Sequence, residues 1–157
     1  MHIDAVLRKL GELERSLADL YGWWSEVFAA DEEAAFVFFK MKGEEKAHAG
    51  LVDYQRKLVQ NSPALSVDVS FDLTEVEAAL ARAKALRGAA VPPTVAEALA
   101  EALRIERSAA ESHCRNALKL ASPGVARLLD ALGGEDKLHV ARLAELAERR
   151  GITVAPA

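Results

Sequence analysis

Apolar residues recur along this chain at steps of three and four in four long segments, and that spacing predicts four amphipathic helices. In the first, from Ile3 to about Ala30, the apolar stripe is Leu10, Leu17, Tyr21, Trp24 and Phe28. Asp31 reads as the N-cap of the second, with Glu32 and Glu33 where the helix dipole favours negative charge. That helix runs to about Gln60 and ends at Asn61-Ser62-Pro63. The third follows Pro92-Pro93 and runs to about Ala121. Ser122-Pro123, a cap followed by proline at the first helical position, opens the fourth. It runs to Arg150 and stops at Gly151.

The links within each pair of helices are short, so the partners are expected to be antiparallel neighbours. The segment 61–93 between the pairs is long. Ser66 to Phe71 reads as extended, and Thr74 to Arg87 as a shorter helix stopped by Gly88. The expected fold is therefore a single all-α domain over residues 1–157. It is a four-helix bundle of two antiparallel helix hairpins, joined by a long crossover (61–93) that contains a short helix.

Composition agrees. Hydrophobic residues make up 51% of the 157 and charged residues 28%, dominated by strong helix formers. A net charge of −4 gives no reason to expect nucleic acid or an anionic membrane as partner. The single cysteine, Cys114, excludes an intramolecular disulfide framework and fits a reducing compartment. Met1-His2-Ile3-Asp4 lacks the basic, apolar start of a signal peptide. The longest wholly apolar run, Ala34 to Phe39, is too short to span a bilayer. The expectation is a soluble, cytoplasmic protein.

Polar residues break into these apolar stripes at repeated places. Glu14 interrupts the first, Glu45 and His48 the second, Glu106 and His113 the third, Asp136 and His139 the fourth. The marks are duplicated. Glu14-Arg15-Ser16 matches Glu106-Arg107-Ser108, and Gly43-Glu44-Glu45-Lys46-Ala47-His48 matches Gly134-Glu135-Asp136-Lys137-Leu138-His139. The steps between the paired marks are nearly equal in the two halves, which implies a pseudo-two-fold arrangement.

A buried charge costs several kcal/mol even after relaxation, on the order of magnitude seen in proteins generally. Like charges packed together cost more unless protons or cations intervene. The buried faces carry almost no Lys or Arg. Two divalent cations would supply the missing charge. Residues three apart share a helix face, so each acid and its following histidine can reach one ion. Imidazole with carboxylate suits iron, manganese or zinc better than calcium or magnesium. Taken singly, Glu45 and His48 would be ordinary surface residues, and Glu14 or Glu106 a polar residue fixing helix register. Their coincidence, in phase with four apolar stripes, favours metal. Gly43, Gly133 and Gly134 beside the acids read either as points of close approach or access, or as tolerated glycines. Of Trp23 and Trp24, only one can face the core. Cys114 reads as an inert thiol.

With these residues the chain resembles the rubrerythrin branch of the ferritin-like superfamily, from roughly Leu7 to Arg149. That branch carries Glu on helix one, Glu-x-x-His on helix two, Glu on helix three and Glu-x-x-His on helix four. The resemblance implies a dinuclear, carboxylate-bridged site holding two metal ions, iron first and manganese or zinc as alternatives. Glu14 and Glu106 would be terminal ligands, Glu45 and Asp136 bridging carboxylates, and His48 and His139 one cap each. Tyr21 and His113 would support the ligands from outside, His113 being too far along its helix to share a metal with Glu106. The chain departs from the family pattern in carrying Asp136 for Glu, Ala109 for a further Glu, and no Cys-x-x-Cys module. An enzyme of this kind would act on peroxide, dioxygen or ferrous iron, as a peroxidase or ferroxidase, with an external electron donor. The alternatives are iron binding or storage without turnover, and a structural bundle with a degenerate site. A homodimer is the implied assembly.

Overall fold

A computed structural model describes residues 1–120 and 122–153. It is all-α, with five helices: α1 (Ile3–Val27), α2 (Glu32–Gln60), α3 (Thr74–Arg87), α4 (Val95–Lys119) and α5 (Pro123–Arg149). No helix of the described residues is long and apolar enough to cross a membrane.

Each anticipated stripe is a buried face. Leu10, Leu17, Tyr21 and Trp24 of α1, Phe38, Met41 and Val52 of α2, Leu99 and Leu103 of α4, and Leu129, Leu132, Leu143 and Leu146 of α5 all lie in one core. Removing such side chains from water supplies most of the favourable free energy of folding. The helices meet in a defined set of pairs: α1 with α2, α4 with α5, α2 with α5, and α3 with both α1 and α4. Side-chain bonds give their directions. Arg56 near the end of α2 reaches Asp4 at the start of α1, so that pair is antiparallel. Glu33 early in α2 meets Arg149 at the end of α5 and Arg150 just beyond it, while Glu44 meets Arg142. α2 and α5 are therefore antiparallel too. In α4 and α5, Glu106 faces His139 and His113 faces Asp136, so they also run in opposite directions.

The boundaries follow local chemistry. α1 stops at Val27, short of the expected Ala30, because Asp31 N–H is taken by Phe28 O at 2.8 Å. Asp31 then caps α2 by accepting from Ala34 N–H. The expectation that the third long helix extends to Ala121 falls partly outside the described residues, and the helix ends at Lys119. It starts with a capping box of Thr94 and Glu97 that the apolar spacing did not reveal. Ser122 sits at the N-cap position of α5 without a side-chain cap bond, and Pro123 opens the helix. At the far end Gly151 takes φ +63, Ile152 N–H reaches Ala147 O, and Gly151 N–H reaches Glu148 O. That is a Schellman stop, which needs the left-handed residue that glycine supplies at little cost.

The connection between α2 and α4 is tied down at several points. The anticipated extended stretch makes a single antiparallel bridge, His2 to Asp68. Asn116 of α4 accepts from Asp72 N–H and donates to Asp72 O. α3 buries Val76, Ala79, Leu80 and Ala83. Its last residue, Arg87, lies over the ring of Trp23 at 5.2 Å, while Trp24 points into the core. A methyl group on Gly133 would lie 2.8 Å from Cys114 Sγ, so this glycine permits close approach of α4 and α5. Gly43 and Gly134 face open space.

Asp31 is the joint of this scaffold, capping α2 while paired with Arg150 past the end of α5. The guanidinium and the Ala34 N–H hold its carboxyl at about 2, below the ordinary 3.8. Asp31→Ala is expected to cost about 1–2 kcal/mol at neutral pH, the usual worth of a cap. Because the folded-state value is depressed, this stability is complete above the unfolded value and fades as pH falls toward 2. Urea denaturation at pH 6 and pH 3 checks it; an equal cost at both would contradict the assignment.

Candidate metal centre

Four helices send polar side chains to one stretch of the core: Glu14 and Tyr21 from α1, Glu45 and His48 from α2, Glu106 and His113 from α4, Asp136 and His139 from α5. None of them is more than 4% exposed. They reach the interior because each lies in phase with its helix's apolar stripe, so packing the stripe carries the polar group inward.

Two groups of donors form. Glu14, Glu45 and His48 make one, and Glu45, Glu106 and His139 the other; within each, the ligand atoms lie within 4.8 Å of one another. His48 Nδ1 is 3.0 Å from Glu45 Oε2 and 3.7 Å from Glu14 Oε2. His139 Nδ1 is 3.0 Å from Glu45 Oε1 and 3.2 Å from Glu106 Oε2. Glu45 thus offers one oxygen to each side. The two imidazoles stack across the seam with ring centroids 5.6 Å apart. Either group can hold a metal ion.

Of the residues anticipated as ligands, five come together in this way. Asp136 joins neither group: its Oδ2 pairs with His113 Nδ1 at 2.9 Å. Aspartate is one methylene shorter than the glutamate at the matching place on α2, and His113 stands within its reach. Tyr21 donates its hydroxyl hydrogen bond to Glu106 Oε1, beside the ligands as expected.

The sequence drew attention to Glu44 only as a neighbouring acid, and to Arg142 not at all. Arg142 holds both oxygens of Glu44, at 2.5 and 3.1 Å. Glu44 Oε2 in turn lies 3.1 Å from His139 Nε2, though off the line of a good hydrogen bond. These two part-buried residues close the outer side of His139. The pairing depends on the register of α2 against α5, which no local pattern encodes.

The electrostatics explain how so many acids share one seam. Burial pushes the Glu14 carboxyl up to about 8 and, with the charge of Glu45, Glu106 up to about 7. Burial also opposes ionisation of Glu45, but His139 and His48 outweigh it and hold this carboxyl at about 2. Burial opposes charge on His48 and His139 too. Carboxylates outweigh it, Glu14 and Glu45 raising His48 to about 10 and Glu106 and Glu45 raising His139 to about 11. Asp136 likewise raises His113 against its burial. Burial and the Glu106 carboxylate keep the Tyr21 phenol protonated, hence a donor. Without metal, protons on the imidazoles and on Glu14 provide the balancing charge.

A cation fits this donor set on further grounds. Among the described residues, five buried side-chain polar atoms have no hydrogen-bond partner. Three of them lie in the seam, Glu14 Oε1, Glu45 Oε1 and His113 Nε2; of the other two, His139 Nε2 is turned outward to Glu44 and the last is Trp24 Nε1. Native interiors rarely leave such atoms unpaired unless an ion or water serves them.

Comparison with protein-family models, curated proteins and solved structures returns no match.

Metal ions must displace the protons now held by His48, His139 and Glu14, so affinity is expected to rise with pH through neutrality. Titration with a divalent cation at pH 7, in buffers of differing ionisation enthalpy, should register net proton release on binding. Binding with no proton release would contradict this charge distribution.

Proposed function

We propose that this chain is a ferritin-like four-helix bundle of the rubrerythrin kind, two helix hairpins joined by a long crossover. On this reading it holds two metal ions, iron in the first instance, and acts as an oxidoreductase on peroxide, dioxygen or ferrous iron. The observation that carries it is the shared position of Glu45. One carboxylate with an oxygen in each of two buried Glu/His groups is what a bridged metal pair requires.

A pair of bound iron ions supplies two-electron redox chemistry toward peroxide or dioxygen. The chain's own residues supply the setting. Glu14 and His48 hold one side, Glu106 and His139 the other, and Glu45 joins them. Tyr21 fixes Glu106 by its hydroxyl. Tyr21, Trp24, Phe28 and Phe38, whose contacting rings have centroids 5.1 to 6.0 Å apart, form a buried aromatic cluster beside Glu106. With one cysteine in the chain, re-reduction falls to an external electron donor. The outer face of α2 exposes Phe36, Phe39, Leu51 and Tyr54 beside the open Gly43 and Gly50. This apolar face supports the homodimer reading, and the lone thiol supports a cytoplasmic location.

A second reading, iron binding or storage without turnover, draws on Asp136. Its engagement with His113 removes one expected carboxylate from the metal pair. A structural bundle with a degenerate site is the limiting case of that loss.

Anaerobic loading with ferrous iron should give two iron ions per chain by elemental analysis, and peroxide should oxidise them faster than ferrous ion free in the same buffer. Joint replacement E45A/H48A should abolish stoichiometric iron. Unchanged iron in that variant would remove the site assignment. Stoichiometric iron in the wild type that peroxide oxidises no faster than free ion would leave the storage reading.

A further inference from the structure

His113 is nearly inaccessible, at 1% exposure, yet only one of its nitrogens is engaged. Asp136 takes Nδ1 at 2.9 Å, and Nε2 has no partner. A buried imidazole with one nitrogen on a carboxylate and the other unpaired has the arrangement of a metal-binding histidine. In such sites the carboxylate orients the ring, holds the proton on the nitrogen facing it and makes the opposite nitrogen a stronger ligand.

Helix register says which ion it would serve. α1 runs antiparallel to α2, α2 to α5, and α5 to α4, so α1 and α4 are antiparallel as well. Tyr21 of α1 reaches Glu106 of α4. Seven residues back along α1 is Glu14, and seven forward along α4 is His113. The register that joins Tyr21 to Glu106 therefore sets His113 across the seam from Glu14, whose charge acts on it. Seven residues are about 10 Å of helix, which separates His113 from the side that Glu106 serves. Glu14 has an unpaired oxygen of its own, Oε1. At matching places, then, Tyr21 and Glu106 satisfy each other, whereas Glu14 Oε1 and His113 Nε2 are buried and unsatisfied.

We propose that His113 is a metal ligand, binding through Nε2 the ion held by Glu14, Glu45 and His48, and that Asp136 is the positioning carboxylate behind it. This rests on the dinuclear reading above and changes its ligand set. Asp136 leaves the bridge, and a third histidine enters. The two sides become unequal. One ion has four protein ligands, Glu14, Glu45, His48 and His113, and the other has three, Glu45, Glu106 and His139. The side with fewer protein ligands would leave more of its ion's coordination positions to a small ligand.

The test uses the full chain loaded with cobalt(II), with the metal counted by elemental analysis. Proton NMR in water then counts the paramagnetically shifted, exchangeable imidazole N–H signals. The wild type is expected to bind two cobalt ions and show three such signals. H113Q should lose one signal and weaken one of the two ions by about tenfold or more. D136N should keep three ligating imidazoles but speed solvent exchange of one N–H. Two cobalt ions with only two imidazole signals in the wild type would overturn the assignment and leave the dinuclear reading standing. Wild-type cobalt affinity in H113Q, whose amide still donates a hydrogen bond but binds metal poorly, would overturn it too, making His113 a hydrogen-bond donor only. No stoichiometric cobalt in the wild type would overturn the dinuclear reading and this assignment together. The wild-type signal count decides the matter even if the variants fold poorly.

Discussion

A carboxylate taken from water into a helical interior must find positive charge there or give up its own. Four carboxylates occupy the seam of this protein, and Lys and Arg stay at its margins. Three histidines and a set of retained protons meet the demand: Glu45 stays ionised between two imidazoles, while Glu14 and Glu106 hold their protons more tightly than free carboxyls do. The arrangement spends no side chain on a permanent cation. Its balancing charge is carried by exchangeable protons, so a metal ion can take their place while the Arg–carboxylate pairs of the scaffold stay intact.

The scaffold is built so that this seam does not have to hold the fold together. Apolar layers lie above and below it, from Ile3, Leu7 and Leu10 to Trp24, Phe28 and Phe38. Ion pairs that fix helix register are at the periphery: Arg56 with Asp4, Arg142 with Glu44, Arg82 with Glu101, Arg150 with Asp31. Exposed pairs of this kind are individually weak, but they discriminate one register from its neighbours. The connection carrying α3 adds a cover over α1 and α4, pinned by Asn116 and by Arg87 on Trp23.

Most helices were legible because their signals are local. Thr74-Glu75 to Arg87, followed by glycine, is helical to the residue anticipated. Asp31 caps α2, and Gly151 ends the chain's last helix in the left-handed conformation only glycine adopts freely. Where the reading slipped, a backbone bond decided the outcome. α1 lost its last turn because Asp31 N–H went to Phe28 rather than continuing the helical ladder. The Thr94–Glu97 capping box lies just after the two prolines, outside the apolar spacing that marks the helix. Burial of Glu14, Glu45, His48, Glu106, His113, Asp136 and His139 followed from their phase in the apolar stripes, a property of each helix alone.

What the sequence determined by itself is which face each residue occupies, since helical periodicity is set by the backbone over a few residues. It could therefore bring seven ionisable side chains to the core and say that they need charge compensation. Which of them meet was decided only by the packing of α1, α2, α4 and α5. That packing puts Glu45 between both imidazoles, turns Asp136 to His113, and sets Glu44 and Arg142 outside His139. Such pairings depend on interhelical register and on differences of one methylene in reach, and neither is written in the period of any single helix.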